Sequence, residues 1–231
     1  MIHIEKLSKH YGQKVVLDIP ELEIGRGSCI GLVGNNGAGK TTLFSLMLDL
    51  IRPTTGRVLI SEHLVSESEL WKNMTASFID ESFLIGYLKP EEYFYFIGDL
   101  RGANKATVDT FLADYQEFFN DEILNSRKYL RDFSKGNQKK VGLVASLIGD
   151  PELIIWDEPF ANMDPSTQIR LKNIINRLNA PKDKTILISS HDLSHTVEVS
   201  DRIIVLEKGA LVRDIESTPD TLKELEQFFQ V

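Results

Sequence analysis

A chain of 231 residues is long enough to bury one α/β core, or one core with an inserted lobe, without disulfide staples, and it is short for two linker-joined domains. Its 34 acidic residues against 26 basic ones, a net charge of −8, oppose binding along a nucleic-acid backbone, which needs a basic face. The single cysteine, Cys29, excludes an intramolecular disulfide and fits a buried thiol in a reducing compartment. The longest apolar runs, such as residues 141–148, fall far short of the roughly 18 residues a membrane span needs, and no apolar signal segment opens the chain. A cytoplasmic chain is therefore expected, with any membrane contact made through a protein partner.

In chain order, IHIEKL (2–7) alternates apolar and polar residues as a half-exposed strand does. SCIGLV (28–33), ELIIWD (152–157) and KTILIS (184–189) are apolar runs flanked by turn or helix signals, the pattern of buried parallel strands at the centre of a sheet. Helical patterns follow each run, at 41–50, 166–178 and 193–200, so strand and helix alternate as in a layered α/β fold. Between the first and second of these units, residues 80–150 read mainly as helix. PEEYFYFIGDL (90–100) opens on a first-turn proline, and KATVDTFLADYQEFF (105–119) carries apolar residues at helical spacing. RIIVLEKGALVRD (202–214) has a hairpin signal at Lys208-Gly209, and TLKELEQFF (221–229) closes as a short amphipathic helix.

The first chemistry-bearing stretch is GNNGAGKTT, comprising Gly34, Asn35, Asn36, Gly37, Ala38, Gly39, Lys40, Thr41 and Thr42. It matches G-x-x-x-x-G-K-[ST] and lies after a predicted strand and before a predicted helix. Glycines let the backbone curl so that N–H groups point at phosphate oxygens, Lys40 reaches the β- and γ-phosphates, and the Thr41 hydroxyl can ligate Mg²⁺. LIIWDE (153–158) places Asp157 at the end of a buried strand, where its carboxylate reaches the same metal, and Glu158 next to it, where a carboxylate can take a proton from an attacking water. FSKGNQKK (133–140) puts Ser134, Gly136 and Asn137 at a helix N-terminus, an arrangement suited to a phosphate oxygen or to a plain helix cap.

Together, GNNGAGKTT, FSKGNQ, LIIWDEP, ANMDP and the histidine of ISSHD, in this order over nearly the whole chain, resemble the ATP-binding subunit of an ABC transporter, and PEEYFYFIGDLRG (90–102) resembles the segment that follows the Q-loop in exporter-type subunits, the nearest kind. The resemblance implies a P-loop NTPase core with a mixed sheet and N-terminal antiparallel strands over 1–79 and 151–231, and an inserted helical subdomain over 80–150 bearing the signature motif. FSKGN resembles the signature LSGGQ, retaining Ser134 and Gly136 while Phe133, Lys135 and Asn137 replace Leu, Gly and Gln. Asp164 of ANMDP resembles the D-loop aspartate at the dimer interface, and could equally cap the helix beginning at Pro165. His191 resembles the switch histidine that hydrogen-bonds the γ-phosphate. Tyr11 resembles the aromatic residue that stacks on adenine, with Val16 under the ribose. Glu81 holds the place of the Q-loop glutamine, a departure from the commonest residue. It could approach Mg²⁺ directly or through water, or simply cap a following helix, with Asp80 as a competitor for the place.

What the resemblance implies in function is an ATPase that binds ATP and Mg²⁺, dimerises head to tail with itself or a similar subunit around two ATP, and powers transport, with export favoured, through a separate membrane permease. A soluble ABC ATPase acting on DNA or ribosomes is the alternative from another class. The single cassette, the absence of a heptad run and the acidic balance argue against it.

Overall fold

The computed structural model describes residues 1–229. Two sheets organise it. Strands β1 (Ile2–Tyr11) and β2 (Lys14–Ile24) form a hairpin, and β4 (Thr55–Ile60) and the two-residue β5 (His63–Leu64) complete an antiparallel sheet of order β2-β1-β4-β5. The second sheet combines β3 (Cys29–Val33), β6 (Thr75–Phe78), β7 (Leu153–Trp156), β8 (Thr185–Ser190), β9 (Arg202–Glu207) and β10 (Ala210–Glu216) in the order β10-β9-β3-β8-β7-β6. Five of these run parallel, and β10 returns antiparallel to β9 across the turn at Lys208-Gly209. The predicted apolar runs become β3, β8 and β7, side by side in mid-sheet and wholly buried along β3 and β7.

Alternation along these strands sorts side chains onto two faces, because strand side chains point to opposite sides with period two. Leu153, Ile155 and Leu187 face a core shared with the antiparallel sheet and with α1 (Lys40–Met47). Ile154, Trp156, Ile186 and Ile188 face a second core shared with α7 (Pro165–Asn179) and with the helices of the 80–150 region. The remaining helices of the core are α2 (Leu70–Met74), α8 (Leu193–Val199) and α9 (Thr221–Phe229). Leu225 of α9 is buried against Val33, Ile203 and Val205. Among the described residues, no helix is long and apolar enough to cross a membrane.

The 80–150 region holds α3 (Pro90–Leu100), α4 (Lys105–Ala113), α5 (Gln116–Phe119) and α6 (Lys135–Ser146). The single helix expected over 105–119 divides between Ala113 and Gln116. There Asp114 N–H and Tyr115 N–H donate to the carbonyls of Phe111 and Leu112, a tightened turn that seats the Tyr115, Phe118 and Phe119 side chains in the core. Residues 120–134 are mostly irregular, carrying only the short 3-10 turn Leu130–Asp132. The helix expected over 41–50 ends at Met47, since Asp49 enters left-handed conformation at φ 52°.

Candidate functional site

The functional candidates gather at the carboxyl ends of β3, β7 and β8, the edge of a parallel sheet where α/β folds place ligands. The phosphate loop leaves β3 at Gly34 and enters α1 at Lys40. Gly37 (φ 80°) and Gly39 (φ 111°) adopt left-handed backbone that curls the loop, and a Cβ on Gly34 would stand 2.3 Å from the Leu206 carbonyl oxygen. The loop is braced from behind by the β9–β10 turn. Gly209 N–H donates to the Ala38 carbonyl at 2.8 Å, and the Gly209 carbonyl accepts from Asp18 N–H at 2.8 Å. No side chain caps α1 and no acidic residue occupies its first turn. Its leading N–H groups and dipole therefore face the loop concavity, which suits a phosphate.

Lys40, although charged, is only 6% exposed. Its ammonium donates to the Gly34 carbonyl at 2.6 Å and lies 3.4 Å from Glu158 Oε1. The Thr41 hydroxyl donates to Asp157 Oδ2 at 2.5 Å, and the Ser189 hydroxyl donates to the other Asp157 oxygen. Burial pushes the Asp157 carboxyl upward, and these two hydrogen bonds oppose the shift. Thr41 and Asp157 together offer hard oxygen donors within one hydrogen bond of each other. That set fits Mg²⁺, which takes one or two protein oxygens and completes its shell from phosphates and water. Among the described residues no cluster of three or more His, Cys, Asp or Glu forms a self-sufficient metal cage.

Glu158 follows β7 in left-handed backbone, φ 47°. Its N–H donates to Ser189 Oγ at 2.9 Å, and its carboxylate lies between Lys40 and His191, whose Nδ1 stands 2.8 Å from Oε2. Lys40, Thr41, Asp157, Glu158 and His191 thus form one connected polar cluster. Ser189 at its centre was not legible as a functional candidate. A buried serine near the end of an apolar strand was the available signal, but its two partners, Asp157 and Glu158, follow a different strand.

Tyr11 sits at the β1–β2 hairpin tip, 57% exposed, with the Lys9 ammonium 4.9 Å from its ring centre. Val16 is half-buried, and its carbonyl oxygen lies beside Gly39 and Gly209, which puts the hairpin next to the phosphate loop. Thr42 is half-buried on α1, while Asn35, Asn36 and Gly37 are exposed.

Among the described residues, the second group of candidates makes no direct hydrogen bond or ion pair with the first, although Lys139 of α6 donates to the Glu158 carbonyl oxygen at 2.7 Å. Ser134 caps α6, its hydroxyl oxygen accepting from Asn137 N–H at 3.2 Å, and both Ser134 and Lys135 are exposed. Among the described residues, no hydrogen bond or ion pair joins 134–137 to 34–42. Gly136 presses on the loop before α7, where a Cβ would meet the Asn162 carbonyl oxygen at 2.6 Å. Asp164 caps α7, accepting from Thr167 N–H at 3.0 Å and from the hydroxyls of Ser166 and Thr167; these bonds hold its carboxyl well below the usual carboxylate range. Glu81, in the turn Glu81–Phe83 capped by Asp80, has a largely buried carboxylate 3.5 Å from Lys139 Nζ and 3.9 Å from Lys135 Nζ. The structure brings Glu81 to the lysines of α6, and no hydrogen bond or ion pair joins it to Thr41 or Asp157 among the described residues.

Residues 17–161, more than half of the chain, match the ABC transporter family. The chain belongs to that family. An uncharacterised ABC transporter ATP-binding protein of Methanocaldococcus jannaschii is 34% identical over 91% of this chain and 76% of its own length. The bacitracin transport ATP-binding protein of Enterococcus faecalis is 31% identical over 93% of this chain and 69% of its own. An aliphatic sulfonates import ATP-binding protein of Paraburkholderia xenovorans is 27% identical over 97% and 85%. Among solved structures, an ATP-binding subunit of an ABC transporter superposes with TM-score 0.84 at 26% identity, covering 98% of this chain and 93% of that one. A dimeric ATP-binding cassette bound to ADP and Pi shares the fold with TM-score 0.83 at 21% identity, over 94% and 99%. This ABC protein is an ATP-binding transporter subunit and an ATPase.

Proposed function

We propose that the chain, one ABC ATPase domain over 1–231, binds ATP between its phosphate loop and the signature of a second copy or similar subunit packed head to tail. On this reading two ATP molecules lie at the interface, and their hydrolysis drives a separate membrane permease from the cytoplasmic face. The observation that carries it is the division of the phosphate-directed residues into two groups. Lys40, Thr41, Asp157, Glu158 and His191 interlock at the sheet edge, whereas Ser134 and Gly136 open an exposed helix end with no bonding contact to that cluster. A phosphate held by the first group has its remaining oxygens free for donors from another chain.

The roles follow from chemistry. The N–H groups of 34–39 and the start of α1 bind the β- and γ-phosphates, Lys40 neutralises their charge, and Tyr11 stacks on the base above Val16. Thr41 and Asp157 would hold Mg²⁺, which would supply charge neutralisation across the phosphates. Glu158 accepts a proton from the water that attacks the γ-phosphorus as the bond to the β,γ-bridging oxygen breaks. His191, already paired with Glu158, orients that carboxylate and hydrogen-bonds the γ-phosphate. Across the interface, Ser134 Oγ–H and the Gly136 N–H donate to γ-phosphate oxygens, with Asn137 beside them at the same helix end, and Asp164 lines the contact. Loss of the γ-phosphate removes these donors' common partner, and the dimer opens.

Export is the direction we propose, supported by the resemblance of the 90–102 segment to exporter-type cassettes. Relatives named for import exist, and uptake against extrusion in oriented membrane vesicles decides between them. Replacing Ser134 by Ala tests the two-chain site. Turnover is expected to fall about tenfold or more while ATP affinity of the monomer stays within about twofold. Equal losses in both would mean that Ser134 acts within its own chain.

A further inference from the structure

We infer that Lys139 is a positioning residue for hydrolysis: from the signature helix it grips the backbone of Glu158 in the same chain, with Glu81 as the buried counter-charge that keeps it there. The inference rests on the catalytic role proposed for Glu158.

Lys139 is a lysine with a side chain only 6% exposed, and a buried ammonium needs partners for its three donors. It has two, from segments far apart in sequence. Nζ donates to the Glu158 carbonyl oxygen at 2.7 Å and lies 3.5 Å from Glu81 Oε1. The helix reaches both because α6 lies close against the end of β6. A Cβ on Gly142 would stand 2.0 Å from the Phe78 ring, so only glycine lets α6 settle there. Lys139, three residues earlier on the same helix face, is thereby delivered to the loops that follow β6 and β7.

Lys139 acts on a residue that needs fixing. Glu158 occupies left-handed backbone at φ 47°, a conformation that a non-glycine residue keeps only when its surroundings impose it. Its peptide groups are clamped on both sides. Ser189 Oγ accepts its N–H at 2.9 Å, while its carbonyl accepts from Lys139 and from Ala161 N–H at 3.2 Å. With both ends tied, the carboxylate is aimed between Lys40 and His191. Of the two bonds on the carbonyl, that from Lys139 is the shorter and the charge-assisted one.

Glu81 then has a structural duty distinct from metal binding. Its two oxygens face Lys139 and Lys135, so its charge balances the first turns of α6. The Lys139 side chain thus ties both α6 and the turn at Glu81 to the Glu158 backbone.

The test is steady-state ATP hydrolysis and thermal unfolding of the full chain carrying Lys139→Met, Lys139→Arg, Glu81→Gln and the double variant Glu81→Gln/Lys139→Met, with Glu158→Gln as reference. Lys139→Met is expected to lower kcat about tenfold with KM for ATP within about twofold, and Lys139→Arg to restore most of kcat. Glu81→Gln strands the buried ammonium and lowers the melting temperature, with the Mg²⁺ concentration for half-maximal rate unchanged. The double variant regains the melting temperature yet keeps the low kcat. Lys139→Met added to Glu158→Gln has little further effect, because the carboxylate it positions is already gone.

Wild-type kcat in Lys139→Met alongside an impaired Glu158→Gln overturns the inference alone, as does recovery of kcat together with stability in the double variant. A raised Mg²⁺ requirement in Glu81→Gln overturns its role as a counter-charge. A Glu158→Gln variant with wild-type turnover overturns the reading on which the inference rests.

Discussion

Gly136→Ala is a sharp test of how the signature helix meets the loop before α7. A Cβ at this position would stand 2.6 Å from the Asn162 carbonyl oxygen, a backbone atom with no rotamer to escape into. Carbon–oxygen contacts settle at about 3.3–3.6 Å, so helix and loop must separate by about 0.7 Å. Asn162 is itself in left-handed backbone at φ 62°, between Glu158 and Asp164, which leaves the loop little freedom to yield. Overpacking of this kind costs about 1–3 kcal/mol. In a chain of this length about 2 kcal/mol lowers the melting temperature by about 4–8 °C. The assay is calorimetric unfolding of the nucleotide-free monomer, where any bond from Gly136 N–H to a partner's nucleotide is silent. Lys135→Ala, one residue away at a side chain that is 65% exposed, serves as the control and should shift stability by less than about 0.5 kcal/mol. A Gly136→Ala melting temperature within about 1 °C of the parent would refute the close approach.

Two further substitutions separate stability from activity. Burial raises the Asp157 carboxyl, so its contribution to stability is full below the unfolded value of about 3.9 and is lost as pH rises through the higher folded value. Asp157→Asn keeps the shape and both hydroxyl partners, and should stabilise the free chain at pH 8 by about 0.5–2 kcal/mol while abolishing Mg²⁺-dependent hydrolysis, the stability gain shrinking towards pH 4. Asp164 has the opposite sign: the bonds from Ser166 and Thr167 lower its carboxyl, so its contribution is present above about 3.9 and lost as pH falls through the folded value. Asp164→Ala should lower stability by about 1 kcal/mol at pH 7 through loss of the α7 cap, with a smaller difference at pH 3, both read from denaturant midpoints.

Much of this arrangement is written locally. The phosphate loop declares itself because its chemistry needs consecutive backbone N–H groups, and consecutive residues are what a sequence displays. The strands β3, β7 and β8 announce themselves by apolar runs long enough to be buried on both faces, and Asp157 and Glu158 by following one of them. What depends on register between distant segments was not legible. Ser189 earns its place only because β8 pairs with β7, and Lys139 only because Gly142 lets α6 approach Phe78. Glu81 could be placed in the right turn but not assigned its partners, which lie 54 and 58 positions further on at Lys135 and Lys139. The break at Asp114–Tyr115 is equally invisible to periodicity, since apolar spacing continues through it while the backbone tightens.

The central claim is that ATP joins two chains by seating each signature over the other's γ-phosphate. Its most direct test is sedimentation of the Glu158→Gln variant, which binds ATP and hydrolyses it slowly. With saturating ATP and Mg²⁺ the protein should sediment as a dimer that returns to monomer when ATP is replaced by ADP, and adding Ser134→Ala should weaken that dimer. A Glu158→Gln chain that stays monomeric at high concentration with ATP bound would contradict the account.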